Sequence, residues 1–104
     1  MSLFRRDDHN AAMRRCLDAL TSLMDDARKH ARPLDDDDWQ ALVRRGLETG
    51  GAGVFLWGFL EVLAAKDVRT WEIRANVIGR SFDRTFGHET ARAVFDDQIG
   101  RAHV

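Results

Sequence analysis

A chain of 104 residues is long enough for one domain with one core of modest size and too short for two. It is 44% hydrophobic and 32% charged, more apolar than a disordered chain, and its 16 basic and 17 acidic residues leave a formal charge of −1, which excludes a one-signed field that would draw in nucleic acid or an anionic membrane from a distance. The single cysteine excludes an intramolecular disulfide, and one proline with no tyrosine leaves few of the signals that a β-sandwich or barrel requires.

The opening "MSLFRRDDHN" puts acids where a signal peptide needs an apolar stretch, so a cytoplasmic, reducing location is expected. Arginine outnumbers lysine 14 to 2, a bias that points to a GC-rich bacterial or phage genome. From about residue 8 to 31, Met13, Leu17, Leu20, Met24, Ala27 and Ala31 alternate at spacings of three and four, the stripe of an amphipathic helix, which Cys16 and Leu23 widen. Pro33 then ends the helix.

In "RPLDDDDWQ", Asp35 is placed to cap a second helix, with Leu34 and Trp39 at the two positions of a hydrophobic staple and further acids on the positive end of the dipole. Trp39, Leu42, Val43 and Leu47 form its apolar stripe, and Gly46 or Gly50 marks its end. A third helix, about 53–66, carries Val54, Phe55, Leu56, Trp57, Phe59, Leu60, Val62 and Leu63 on every side, the pattern of a central helix surrounded by others. Gly58 within it suits the close approach of another helix. Asp67 is expected to cap a fourth helix with Val68, Trp71, Ala75, Ile78 and Phe82 inward, Ile73 and Val77 beside them, and Arg69, Glu72, Arg74 and Arg80 in solvent. A break near "SFDRTFG" precedes a last helix, from Phe86 or His88 to about Gln98, that buries Ala91, Val94, Phe95 and Ile99.

The motifs that carry chemistry are weak. Gly50, Gly51 and Gly53 precede a helix as a phosphate loop would, but no strand comes before them and no lysine follows in place, so a helix-to-helix connection is the better reading. The apolar run after them is broken by Glu61, too soon for a membrane span. Asp35 to Asp38 lack the alternate spacing of a calcium loop. His9, His30, His88 and His103 form no zinc or di-iron spacing, and Cys16, seven residues from His9, reads as an inert core thiol. His88, Arg92 and Asp96 share one helix face, where acid–base work is conceivable but a surface ion pair is the simpler account.

These readings give an all-α fold, a compact bundle of four or five helices around a central apolar helix at about 53–66, forming one domain over residues 1–104. No catalytic, cofactor or metal site is expected. The leading expectation is a small non-enzymatic protein-protein interaction or regulatory protein, of adaptor, immunity or inhibitor type. The heptad-like stripes of the first and fourth helices suggest a homodimer, and Trp71, Phe82 and Phe86 are the candidate partner anchors. The alternative is a DNA-binding regulator in which the last two helices act as a helix-turn-helix that offers Thr90 and Arg92 to a major groove, a reading that the neutral charge disfavours. A third is an enzyme whose site is assembled only in space. Glu61, a lone carboxylate on an apolar helix, must reach solvent or find a partner.

Overall fold

Among the described residues five helices follow one another: α1 (His9–His30), α2 (Asp36–Glu48), α3 (Ala52–Ala64), α4 (Trp71–Phe86) and α5 (His88–Ala102). The structure, a computed structural model, describes the backbone of residues 7–102 and the side-chain surroundings of residues 7–96, and among the described residues there is no strand. The all-α bundle expected from the sequence is therefore the fold; the expected burial of Ile99 lies outside the described side chains.

Local chemistry sets the helix ends. Asp8 caps α1 by accepting the Ala11 amide at 3.0 Å, and Asp35 caps α2 by accepting the Asp38 amide at 2.8 Å, each satisfying a donor that the first turn leaves open. Between these helices the Arg28 guanidinium donates to the Ala31 and Leu34 carbonyls and to Asp36 at 2.9, 3.2 and 3.2 Å, and it lies 5.4 Å from the centre of the Trp39 ring. One side chain thus fixes the whole α1–α2 corner. The turn from α2 to α3 needs Gly51, whose φ of 84° is left-handed, and Gly53, where an added Cβ would come within 2.6 Å of the Leu47 carbonyl oxygen.

Two sequence expectations about α4 fail. Asp67 does not cap it: α4 starts at Trp71 with Thr70 as N-cap, and Asp67 instead pairs with Arg15 at 3.0 Å while its carbonyl accepts the Asp8 amide at 2.9 Å. The residues ahead of the helix are held by Asp7, which takes the Arg69 amide at 2.9 Å and the Thr70 hydroxyl at 2.6 Å. A residue more than sixty positions away does this, so local spacing could not reveal it. Arg74 is likewise not left to solvent. Its guanidinium pairs with Glu61 at 3.2 Å and donates to the Arg69 carbonyl at 2.6 Å, tying α3 to the turn after it.

The hydrogen bonds from Thr70 and Arg69 hold the Asp7 carboxyl below the usual aspartate range. A depressed folded value means that this contribution is present at neutral pH and lost as pH falls through that value. Asp7→Asn is expected to flatten the acid limb of a melting-temperature profile below pH ~4 and to change it little at pH ~7 beyond a constant offset. An unchanged acid limb would refute the contact.

The core joins Ala12, Met13, Cys16 and Leu20 of α1 to Leu60 and Ala64 of α3, Val77, Ile78 and Phe82 of α4, and Ala91 and Val94 of α5. Phe82 is fully enclosed, stacked on Trp57 at 6.4 Å and tilted against Phe86 at 5.6 Å, and Trp57 meets Phe95 edge-on at 5.5 Å. Helix α3 touches all four others, as a central helix should. It is not surrounded, however. The body measures 52 × 32 × 19 Å, and its shortest dimension is about two helix diameters, so every helix keeps an outer side.

Candidate functional site

The outer side of α3 is the least ordinary surface of the molecule. Gly53, Leu60 and Ala64 are buried and Leu56, Trp57 and Leu63 half-buried, so these residues mark the inward side. At 100° per residue, Val54, Phe55, Gly58, Val62 and Ala65 fall together on the opposite side, and all five are exposed. Phe55 is 72% and Val62 66% exposed. An outward helix face in a water-soluble fold is normally polar, whereas this one carries no polar or charged side chain. Glu61 borders it on one flank and Lys66 on the other.

Gly58 sharpens the anomaly. The close approach expected there does not occur among the described residues, because none of their atoms outside the helix's own backbone and the adjoining residues lies within 4 Å of where a Cβ would stand. The helix therefore presents a Phe and two Val around a notch open to solvent. Leu42 on α2, expected inward, is also 49% exposed, and Leu23 on α1 is 41% exposed. Helix α1 has its buried residues up to Leu20; from Thr21 to His30 it has none, so Ala27 of its predicted stripe is exposed. The stripes of α1 and α4 that suggested a dimer are thus largely spent inside the chain or left bare past it, and the uncovered apolar surface is centred on α3.

The three sequence-proposed anchors do not form one patch. Phe82 is fully buried and offers no surface to a partner; its place is in the core. Trp71 is half-buried at the first residue of α4 and Phe86 half-buried at its last, roughly 22 Å apart along the axis. Phe86 does line a groove of about 610 Å³ beside α2, together with Val43, Arg44, Arg45 and Glu48. The aromatic signal read from the sequence therefore belongs mostly to packing.

His88, Arg92 and Asp96 do meet, in a second groove of about 400 Å³ that Asn76, Arg80, Asp83 and Phe95 also line. His88 Nδ1 lies 2.9 Å from Asp83, and Arg92 lies 3.7 Å from Asp96. With His88 77% and Arg92 71% exposed, water screens the charges of this group. The helix-turn-helix comparison loses its geometry: α4 and α5 are joined through Gly87 alone rather than a three- or four-residue turn, and Thr90 is buried. Among the described residues no group of three or more His, Cys, Asp or Glu side chains is arranged to hold a metal.

Glu61 has its partner. The Arg74 pair is partly open to water, with side chains 32% and 20% exposed, and it serves the α3–α4 turn rather than any enclosed pocket. Cys16 and His9 part company: the thiol faces the Leu60 carbonyl at 3.8 Å, while the imidazole contacts Asn76 at 3.2 Å. Burial pushes the Cys16 thiol up to about 11. A thiol so protonated and enclosed is expected to react with a disulfide reagent only on unfolding, so native protein should stay unlabelled for hours at pH ~8 while denatured protein takes one equivalent within minutes. Rapid labelling of native protein would contradict this burial.

What sequence reasoning missed is the polarity of α3, the division of its all-round apolar surface into an inner and an outer side. A signal was present: residues 55, 58, 62 and 65 keep a heptad alternation that is separate from the inward set. In comparison with protein-family models, curated proteins and solved structures, the chain matches none.

Proposed function

We propose that this chain is a small non-enzymatic interaction protein, of the adaptor, immunity or inhibitor type, that works in the cytoplasm by laying the outer side of α3 against another macromolecule. The observation that supports this reading is the run of five exposed residues, Val54, Phe55, Gly58, Val62 and Ala65, with no polar side chain among them. Leaving a Phe and a Val more than 60% open to water forgoes roughly 1–2 kcal/mol each of burial, and contiguous exposed apolar surface of this kind marks interaction sites. The notch at Gly58 adds shape to hydrophobicity, which favours a specific helix or loop over general adhesion.

The test uses matched baits from the native host. Wild-type chain and Phe55→Glu, shown equally folded by circular dichroism and melting, are used to capture protein. Recovery of the same identified protein by the wild type and its loss with the variant is the expected result. A partner retained equally by both, or one displaced instead by substitutions around Phe86, would move the site away from α3.

A further inference from the structure

We infer that a second copy of this chain covers the outer side of α3, with the two α3 helices packed parallel about a two-fold axis. This deepens the proposed function and rests on its assignment of that side as the interaction surface. Phe55, Gly58, Val62 and Ala65 stand at spacings of three, four and three, the a, d, a, d positions of a two-heptad seam, and Ala65 still holds helical backbone just past the end of α3. Two such seams are self-complementary in size. Each Phe55 ring meets the next layer at Gly58 of the other copy, where no side chain stands, and the smaller Val62 and Ala65 layers follow.

Charge decides between the two directions of packing. In this register Glu61 occupies a g position, and Lys66, in the turn that continues α3 with its amide donating to the Leu63 carbonyl at 3.2 Å, follows five residues on at the place of an e position. In a parallel pair those flanks face each other across the seam, so Glu61 of each copy meets Lys66 of the other, twice by symmetry. The Arg74 bond occupies Glu61 Oε1, which leaves its second oxygen for Lys66. An antiparallel pair centred on Gly58 would set Glu61 against Val54 and Phe55 and leave Lys66 opposite Gly50, ahead of the partner helix, so that neither charge meets its opposite. A second copy also supplies the Glu61 carboxylate, already bonded to Arg74, with a second cation in Lys66, which the acyl chains of a lipid bilayer would not.

Area sets the strength. Phe55 and Val62, 72% and 66% exposed, supply on the order of 250 Å² per copy, and Val54, Ala65 and the open edge of Phe59 bring this to about 400 Å². A pair burying roughly 800 Å² in total sits at the small, transient end of specific interfaces, with a dissociation constant of about 10–500 µM expected.

Sedimentation of the purified full chain and cross-linking of Ala65→Cys test this. The native Cys16 is enclosed and does not compete for oxidation. The expected result is a rise from one chain mass toward two between ~10 µM and ~1 mM, loss of that rise in Phe55→Glu, at least a tenfold weakening in Lys66→Glu, and, on mild oxidation of Ala65→Cys, a disulfide between the introduced thiols of the two copies, which only the parallel register brings together. A wild type that stays at one chain mass at ~1 mM overturns the inference; if the Phe55-dependent capture of another protein still holds, the proposed function survives it. A dimer that persists in Phe55→Glu, or one in which Ala65→Cys fails to cross-link, overturns the α3 seam. Sedimentation of a monomeric wild type, but not of Phe55→Glu, with phosphatidylcholine–phosphatidylglycerol vesicles overturns it in favour of a lipid surface.

Discussion

Phe82→Ala is expected to lower folding stability by about 3–5 kcal/mol, the range for removing a large aromatic side chain from a core that cannot collapse around the space. Phe82 is fully buried and touches two other rings, Trp57 at 6.4 Å and Phe86 at 5.6 Å, so the loss includes ring contacts as well as transferred area. Against the roughly 5–10 kcal/mol available to a domain of this size, such a change leaves the chain marginal at physiological temperature. Urea denaturation measures it directly. A cost under about 1 kcal/mol would mean that Phe82 is not enclosed, and would return it to the candidate anchors.

Gly53→Ala is expected to be nearly as damaging although it adds one methyl group. The new Cβ would lie 2.6 Å from the Leu47 carbonyl oxygen and 3.3 Å from both methyls of Val94. The side-chain methyls can yield by a few tenths of an ångström, but the carbonyl belongs to α2, so the two helices must separate at their tightest point. About 2–3 kcal/mol of destabilisation is expected, where the same substitution at an open helical position would stabilise by about 1 kcal/mol. Gly58→Ala supplies that control, since nothing stands near its Cβ: it should stabilise the monomer. Equal responses at the two glycines would refute this packing of α2 on α3.

These glycines show how much the sequence could disclose. The sequence reads Gly53 as part of a helix-to-helix connection and assigns close approach to Gly58, whereas the structure places it at Gly53. Helix existence was legible throughout because apolar spacing and caps are local: Asp35 caps α2 as its spacing indicates. Contacts between distant segments were not. Nothing near Thr70 announces Asp7, and nothing near Arg74 distinguishes a guanidinium in solvent from one bound to Glu61. The candidate surface was half legible. The apolar residues of α3 were conspicuous, but a helix apolar on all sides is ambiguous between full enclosure and an exposed seam, and only the thinness of the two-layer body resolves it.

Of the anchors Trp71, Phe82 and Phe86, Phe82 proves to be a core residue for a related reason. Aromatic residues mark interaction surfaces and cores alike, because both depend on desolvating large rings. On α4 the inward stripe absorbs Phe82, while on α3 the exposed Phe55 lies outside any inward stripe. Position relative to the buried set, not residue type, separates the two.

The outer side of α3 as the working surface is open to one direct measurement. A photoreactive phenylalanine analogue placed at Phe55 in the native host should form, on irradiation, discrete higher-mass adducts containing this chain, while the same analogue at exposed Glu72 on α4 should form none. An adduct of two chain masses would report the second copy, and a heavier one another partner on the same side. Absence of any adduct at Phe55, or equal yields at Phe55 and Glu72, would contradict the assignment of this surface.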